Sequence, residues 1–282
     1  MENNKYLVLG GTGKTGRRVV QRLEALGHEV RVASRSSEPS FDWSKPEGWE
    51  AVLEGMDKAY VAYYPDLAVP GSKEAITKLV EVAERTGLKK MVILSGRGEP
   101  EAQECELIAL NSNINTVVVR VDWFMQNFSE YFFLDPIKAG VLAAPKAETK
   151  IPFIDLDDVA DVALKALLED RITNEVLELT GPDLINFEEV VEEISKATGR
   201  DIQYIPVSIE EYTQMLRDHK VPEDFIWLIT YLFTNVLDGR NASTTNNIEI
   251  ILGRPAKSFS TFAKEIAATG VWDVAIPETA GE

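Results

Sequence analysis

The feature that most constrains the fold is a glycine-rich segment near the amino terminus. An apolar stretch, Tyr6–Leu9, is predicted to form a strand, and it leads into Gly11-Thr12-Gly13-Lys14-Thr15-Gly16, which matches the pattern G-x-G-x-x-G. Apolar residues at helical spacing follow, namely Val19, Val20, Leu23 and Leu26. A strand, a glycine turn and a helix in this order predict a dinucleotide-binding unit whose pyrophosphate lies at the amino terminus of the helix.

Two alternatives compete for this segment. Gly13-Lys14-Thr15 imitates the end of a P-loop, but that motif requires its first glycine at position 8, where the chain has Val8. The other alternative is a glycine turn that holds no ligand. We expect a cofactor site that consists of Gly10, Gly11, Thr12, Gly13, Lys14, Thr15 and Gly16.

The end of the predicted second strand indicates which cofactor is bound. It ends in Ser34 and Arg35, the latter nineteen residues beyond Gly16. An acidic residue here would bind the ribose 2′-hydroxyl of NAD, whereas an arginine can hold the 2′-phosphate of NADP through a charge-assisted contact. We therefore expect NADP(H). A solvated loop arginine without a ligand is the alternative.

The remainder of the first half alternates strands with helices. Further strands are predicted at Ser40–Trp43, Ala59–Ala62, Lys90–Leu94 and Thr116–Val121, and shorter ones at 151–154 and 175–180. This alternation predicts an α/β Rossmann fold, a doubly wound parallel sheet with a smaller, mainly helical C-terminal lobe.

The predicted domains follow from this pattern. Residues 1–150 form the dinucleotide-binding domain, with 151–180 returning to its sheet, and residues 181–276 form a smaller substrate or cap lobe. In that lobe Asn186 with Glu189, and Ser208 with Glu211, have the spacing of capping boxes. Residues 277–282 are expected to form a loose tail.

The ends of the predicted strands supply further site residues, because ligands of such a sheet bind outside the carboxyl ends of its strands. Asp42 and Trp43 are expected beside the adenine, and Tyr63 and Tyr64 beside the cofactor. Ser95 ends the fifth strand and is the polar group expected near the nicotinamide.

An aromatic segment follows the sixth strand. Asp122 either stabilises a cationic substrate or caps the next helix. The rings that follow form either the wall of a substrate pocket or a packed core. The predicted pocket residues are Trp123, Phe124, Asn127, Phe153 and Trp227. The apolar helix around Trp227 is a core helix, a subunit contact or a lid.

Composition excludes several classes of function. The formal charge of −17, without a basic cluster, argues against nucleic acid as a partner. No apolar run approaches the ~18 residues of a membrane span, and the amino terminus resembles no signal peptide. Cys105 is the only cysteine, which excludes an intrachain disulfide and suits the cytoplasm. We expect no metal site, and a monomer or homodimer.

Several segments together resemble the NmrA-like branch of the atypical short-chain dehydrogenase/reductases. They are the Gly10–Gly16 loop, Ser34-Arg35, Ser95, the run Val119–Phe128, Ile151-Pro152-Phe153 with Asp157–Ala160, and Leu179–Pro182. The loop, Phe41-Asp42-Trp43 and Trp123-Phe124-Met125-Gln126-Asn127-Phe128 are similar to the ergot-alkaloid reductases of the festuclavine and agroclavine dehydrogenase type. The resemblance implies a Rossmann fold and an NADPH-dependent reductase of secondary metabolism.

The chain departs from this pattern in two places. Ordinary short-chain dehydrogenases use a Tyr-x-x-x-Lys pair for proton transfer, and residues 95–110 contain neither Tyr nor Lys. Relatives tend to carry proline after the arginine of the sixth strand, where this chain has Val121 and Asp122.

The resemblance leaves two functions open. The first is an oxidoreductase that reduces a small cyclic or aromatic substrate, such as an imine, an iminium or a conjugated carbonyl. Hydride addition to a cation needs no simultaneous proton donor, which would explain the missing pair. The second is an NADP-sensing regulatory protein without turnover, which the missing pair suits equally well.

Overall fold

The structure, a computed structural model, describes residues 4–274, so the tail predicted at 277–282 lies outside the described residues. The chain divides into two units. Unit 1 comprises the residues up to Asp122 together with Leu156–Thr180 and Thr244–Ala256. Unit 2 comprises Trp123–Asp155, Gly181–Ser243 and the residues from Lys257 onward.

Eight strands are present among the described residues. They are β1 (Tyr6–Leu9), β2 (Val30–Ala33), β3 (Lys58–Val61), β4 (Lys90–Gly96), β5 (Asn115–Val121), β6 (Val141–Ala144), β7 (Glu175–Leu179) and β8 (Gln203–Pro206).

The α-helices of residues 4–274 cover both units. They are α1 (Lys14–Ala25), α2 (Trp49–Leu53), α3 (Ser72–Thr86), α4 (Pro100–Leu110), α5 (Leu134–Ala139), α6 (Leu156–Leu168), α7 (Phe187–Thr198), α8 (Ile209–Asp218), α9 (Glu223–Tyr231), α10 (Asn247–Leu252) and α11 (Phe259–Ala268). A 3-10 turn spans Met125–Phe128, and a π-helical turn, Leu232–Val236, continues α9.

Unit 1 is built on a six-stranded parallel sheet with the order β2-β1-β3-β4-β5-β7. Within β1, Leu9 lies opposite Ala33 of β2 on one side and Val61 of β3 on the other. The strand order reverses at β1, and this reversal is where a doubly wound sheet opens a ligand crevice at its carboxyl edge. The predicted α/β Rossmann fold is confirmed.

Both faces of this sheet are covered by helices. One face packs against α2, α3 and α4 in a core that includes Ile93, Val118 and the thiol-bearing Cys105. Val8 and Tyr60 are also fully buried, but they do not belong to that core. Helices α1 and α6 pack against the strands and against each other. Burial on both faces explains the nearly continuous apolar strands.

The strand predicted at Ser40–Trp43 is wrong, because these residues belong to a loop. The Ser37 hydroxyl donates to the carbonyl oxygens of Ser34 (2.8 Å) and Pro39 (2.9 Å), and the Phe41 N–H donates to Ser34 O at 2.8 Å. Pro39 has no N–H to give to a strand ladder. The loop therefore leaves β2 as the edge strand.

The short strand predicted at 151–154 is also wrong. Ile151 pairs with Ile185 and Ile154 with Phe124, each as an isolated bridge. Pro152 interrupts the run, since it lacks the N–H that a longer ladder would need.

Unit 2 combines a small sheet with a core that is rich in aromatic residues. Strands β6 and β8 pair in parallel, and α5, α7, α8, α9 and α11 belong to the same unit. Both predicted capping boxes are present, at the starts of α7 and α8. The core is closed by Trp272, whose Nε1–H donates to the backbone oxygen of Phe128 at 2.8 Å.

The two units divide the chain differently from the predicted ranges 1–150 and 181–276. Residues 123–150 lie in unit 2, and 244–256 lie in unit 1. The latter segment joins unit 1 through hydrogen bonds from Thr245 and Asn247 to the Glu178 carbonyl, and through Arg254, which binds Asp158 and Asp161 at 2.6 Å each. The functional roles assigned to the ranges stay predictions.

Across residues 4–274, none of the helices combines the length and the apolar character that crossing a bilayer requires. The same residues contain no group of three or more His, Cys, Asp or Glu side chains placed to hold a metal ion.

Candidate functional site

The predicted glycine loop connects β1 to α1 at the carboxyl edge of the sheet. Gly10 has a φ of +75°, and its carbonyl accepts the Gly13 N–H at 2.9 Å. Helix α1 begins at Lys14, with Gly13 as its N-cap, no side-chain hydrogen bond at that cap and no acidic residue in its first turn. Amides at such a helix start, with the positive end of the helix dipole, form an anion site.

The three glycines of the motif differ in how closely they are packed. A Cβ on Gly16 would overlap the Gly10 carbonyl, and one on Gly11 would lie 2.7 Å from Val32 Cγ1. For a Cβ on Gly13, the only atom of residues 4–274 within 4 Å is the Gly10 oxygen, at 3.1 Å, and Thr12 and Gly13 are exposed. Gly11 and Gly16 therefore serve packing, whereas Gly13 leaves open space for a phosphate, as the dinucleotide motif requires.

The residues predicted to select the cofactor lie together in unit 1. The Arg35 guanidinium carbon lies 5.9 Å from the centre of the Tyr64 ring, which is an exposed cation–π contact. Hydrogen bonds from Ser44 hold the pKa of Asp42 below its ordinary value, and the charges of Lys45 and Arg35 act in the same direction. The Ser34 hydroxyl lies 3.2 Å from that of Ser36.

Two other predicted residues, Trp43 and Tyr63, are in contact, with ring centres 4.6 Å apart. Trp43 also packs on Phe41 and Trp49, which places it on the core of unit 1. Burial raises the pKa of Tyr63. The buried rings of this aromatic cluster are therefore part of the core of unit 1. We expect an adenine to contact only its partly exposed rings.

Ser95 is buried, with 4% of its surface exposed, and its hydroxyl is part of an ionic network. The hydroxyl donates to Glu106 Oε1 at 2.6 Å, and Arg120 donates to both oxygens of the same carboxylate. Ser95 and Arg120 are directly opposite each other in β4 and β5. In this arrangement the Ser95 hydroxyl donates its only hydrogen to Glu106.

The network continues along the carboxyl edge of the sheet. Arg120 also contacts Glu178 at 3.3 Å, and Glu178 accepts from Arg97 at 3.0 Å. Arg97 Nη1 lies 3.6 Å from Asp122 Oδ2, and both side chains are buried. Sequence reasoning missed these charged partners, although an arginine inside a buried parallel strand was a visible signal.

Asp122 does not cap a helix, so that interpretation is corrected. The element that follows is the 3-10 turn Met125–Phe128, and its N-cap is Phe124, without a side-chain hydrogen bond. Asp122 instead follows β5 directly and forms the ion pair with Arg97.

The predicted substrate residues lie in unit 2, and only some come together. Trp123 and Phe153 both contact the Phe187 ring, at 6.0 and 5.9 Å. Phe153 is 1% exposed and belongs to the core, and Asn127 is also buried, whereas Trp123 and Phe124 are half-buried. The core interpretation therefore fits Phe153.

Trp227 is separate from that cluster. Its ring stacks on Tyr231 of the same helix, 5.6 Å away at an angle of 16°, and 45% of the residue is exposed. Ile226, Leu228 and Ile229 of α9 are buried. The helix is therefore half core and half surface.

The packing of the glycines yields a test. We expect Gly13→Val to weaken NADPH binding by at least about 100-fold while costing no more than about 1 kcal/mol of stability, because the side chain enters ligand space and meets only the Gly10 oxygen among the described residues. Gly16→Val is the matched variant and should lower the free energy of unfolding by about 3 kcal/mol through overpacking. Calorimetric titration and urea unfolding measure the two effects. A folded Gly13→Val protein that binds NADPH normally would contradict the loop assignment.

A second test concerns the Ser95 hydroxyl. Ser95→Ala removes a hydrogen bond to a carboxylate and should lower the free energy of unfolding by about 1–3 kcal/mol. Ser129→Ala is the control, because the Ser129 hydroxyl is equally buried and has no hydrogen-bond partner among residues 4–274. It should be neutral or stabilising. Equal effects of the two substitutions in urea unfolding would rule out the network role.

Comparison with known proteins gives relatives along nearly the whole chain. Prestalk A differentiation protein A of Dictyostelium discoideum is 29% identical over 279 residues, covering 92% of this chain and 91% of that protein. NAD(P)H azoreductase of Xenophilus azovorans is 28% identical, covering 93% and 98%. Agroclavine dehydrogenase of Claviceps fusiformis is 26% identical, covering 92% and 96%.

Solved structures show the same fold. Citrobacter sp. triphenylmethane reductase complexed with NADP(H) matches with a TM-score of 0.77 and 18% identity, covering 93% of this chain and 99% of that one. The NADPH complex of the Escherichia coli quinone oxidoreductase QOR2 matches with a TM-score of 0.75 and 17% identity, with the same coverage.

The NmrA-like family model matches residues 104–254, just over half of the chain. The matched region runs from α4 through β5, β7 and α10 and includes Arg120, Asp122 and Glu178 of the ionic network. The chain belongs to the NmrA-like family.

Proposed function

We propose that the protein is an NADPH-dependent oxidoreductase that reduces a small organic substrate. The observation that carries the proposal is the start of α1, where exposed Gly13 leaves space beside amides that have no side-chain cap. This site fits a pyrophosphate. Ser34 and Arg35, with Lys14, would hold the 2′-phosphate, which gives NADPH the preference over NADH.

The names of the relatives support this class of reaction. One is an NAD(P)H azoreductase, one an agroclavine dehydrogenase, and the structural neighbours are a triphenylmethane reductase and an NADPH-dependent quinone oxidoreductase. Their named substrates point to conjugated acceptors. We propose a cyclic or aromatic substrate, such as an imine, an iminium or a conjugated carbonyl. We also propose that the protein is a monomer or homodimer and that it acts in the cytoplasm.

The residues of unit 1 favour an acceptor that needs no proton at the moment of reduction. When bound, the cofactor supplies a hydride. The Ser95 proton is already donated to Glu106, so the Ser95 oxygen can accept a hydrogen bond but has no proton to give. Residues 95–110 contain no Tyr or Lys to replace it. Binding and orientation would then supply most of the rate.

The aromatic residues of unit 2 fit a flat substrate. Trp123 is half-buried and the Trp227 ring is exposed, and we propose both, with Phe124, as substrate contacts. An aromatic face attracts a cation by ~0.5–2 kcal/mol, which favours an iminium over a ketone of equal shape. Asp122 adds less to this preference than a lone carboxylate would, because Arg97 lies 3.6 Å from it.

A regulatory protein that senses NADP without turnover is the second candidate. The Ser95 hydroxyl donates its proton to Glu106, which suits a protein that binds the cofactor without turning it over. The relative from Dictyostelium discoideum is named for differentiation and not for a reaction.

The cofactor preference depends on Arg35. We expect Arg35→Asp to reduce the preference for NADPH over NADH by at least about tenfold or to invert it, because charge-assisted hydrogen bonds contribute about 1.5–3 kcal/mol. Arg85→Asp makes the same charge change at another exposed arginine, paired with Glu50 at 3.5 Å. Calorimetry with both cofactors gives the ratio. Unchanged affinities in Arg35→Asp would show that Arg35 takes no part.

The substrate class is tested by isotope transfer. Stereospecifically labelled NADPD is incubated with cyclic imines, iminium compounds and quinones, and with simple ketones and aldehydes. We expect deuterium in the products of the first group and slow transfer to the second. Iminium ions, cyclic imines protonated in solution and quinones accept a hydride without a simultaneous proton donor, whereas simple ketones and aldehydes form an alkoxide that needs one. Transfer to ketones alone would overturn the imine proposal. Tight NADPH binding without any transfer would favour the sensor.

A further inference from the structure

A buried carboxyl group, that of Glu99, packs directly on the backbone of Gly96 at the end of β4. Glu99 is 5% exposed and is the N-cap residue of α4. A Cβ on Gly96 would overlap all three atoms of the Glu99 carboxyl group. The space left by this glycine is therefore filled by a side chain of the same turn.

The strongest charges acting on Glu99 are all negative. Asp66 faces it from the segment after β3, Asp122 from the end of β5, and Glu101 from the first turn of α4. Arg97, in the same turn, contacts Glu178 and Asp122. Glu99 Oε2 is buried and has no hydrogen-bond partner within the described part of the chain.

Asp66 is the partner that ionises more readily. Its Oδ1 accepts the Ala68 N–H at 2.8 Å, and an acceptor role stabilises the ionised form. Burial is the largest effect on Asp66 and leaves its pKa above the ordinary value, although the bonds from Ala68 and Glu99 lower it. At Glu99, burial is the largest cause of a pKa well above the ordinary value, and the charge and hydrogen bond of Asp66 add to it. The proton of the pair therefore resides on Glu99.

We propose that Glu99 is a positioning residue that carries a proton at neutral pH, shares it with Asp66, and thereby holds the turn from Gly96 to Glu99 in the shape that binds the cofactor. Only the last clause rests on the proposed function. The turn is tied to β5 through the Arg97 N–H, which donates to Val121 O at 2.8 Å.

Ionisation of Glu99 would place another buried charge beside Asp66 and Asp122. Like charges at short distance in a buried site repel strongly, so the carboxylate would have to leave Gly96 for solvent. The folded protein is therefore penalised as the pH rises from the ordinary glutamate pKa of about 4.3 through the raised folded-state value of Glu99. Below both values the penalty is absent.

The pH dependence of stability tests the shared proton without any ligand. We expect Glu99→Gln, which keeps a neutral side chain of the same size, to melt at a higher temperature than wild type at pH 8 and at the same temperature at pH 4. Glu47→Gln, at an exposed position elsewhere in unit 1, is the matched control and should follow wild type at both. Parallel profiles for wild type and Glu99→Gln would overturn the proposal.

The role in positioning is tested by NADPH titration across the same pH range. Wild-type affinity should fall, by up to about tenfold per pH unit above the folded-state pKa of Glu99, whereas Glu99→Gln should lose this dependence. Glu99→Ala should bind weakly throughout. The same pH dependence in wild type and Glu99→Gln would show that the proton does not position the turn.

Two further results distinguish a failure of the shared proton from a failure of the proposed function. If wild type binds no NADPH, the proposed function fails, and the stability profiles still decide whether the proton is shared. If Glu99→Gln does not fold, Asp66→Asn is measured instead. Removal of the Asp66 charge should lower the folded-state pKa of Glu99, so the loss of stability with rising pH should end at a lower pH than in wild type. An unmoved transition would contradict the pairing with Asp66.

Discussion

A contact between two backbone segments, Gly16 against the Gly10 carbonyl, is the constraint on which the rest of unit 1 depends. The contact leaves no room for a Cβ, so the first turn of α1 lies directly on the end of β1. Because β1 pairs with strands on both sides, the position of α1 is fixed relative to the centre of the sheet. The amides at the helix start then face the carboxyl edge, where a doubly wound sheet binds its ligands.

The second constraint is electrostatic and lies at the ends of β4, β5 and β7. There, Arg97 and Arg120 are shared among Glu106, Glu178 and Asp122, and most of these groups are buried. Removal of one member of such a network costs more than the pair contributes, because it leaves an unpaired buried charge. Carboxyl groups outnumber the arginines at this edge of the sheet. Because Glu99 remains protonated, it adds no further negative charge there.

The sequence was sufficient to predict the features that depend on local patterns. The glycine motif and the two capping boxes each involve residues close together in the chain, and each was found where it was predicted. The alternation of strands and helices was found except for the strands predicted at Ser40–Trp43 and 151–154. The predicted strand at Ser40–Trp43 failed because apolar residues anchor a loop as readily as a strand, and hydrogen bonds from Ser37 and Phe41 to the Ser34 carbonyl hold this segment as a loop. The Ser95 to Glu106 bond and the packing of Glu99 on Gly96 were not predicted. Both depend on which side chains the sheet register and the turn bring together, and spacing along the chain does not encode that.

The interleaving of the two units has a consequence for how this family can vary. The chain passes from one unit to the other five times, after residues 122, 155, 180, 243 and 256. Helix α6 and strand β7 therefore enter unit 1 only after part of unit 2 has been made, and α10 enters it later still. No single cut yields either unit as a continuous polypeptide. A chimaera that exchanges unit 2 between relatives therefore needs matched junctions at all five places, whereas a point substitution needs none.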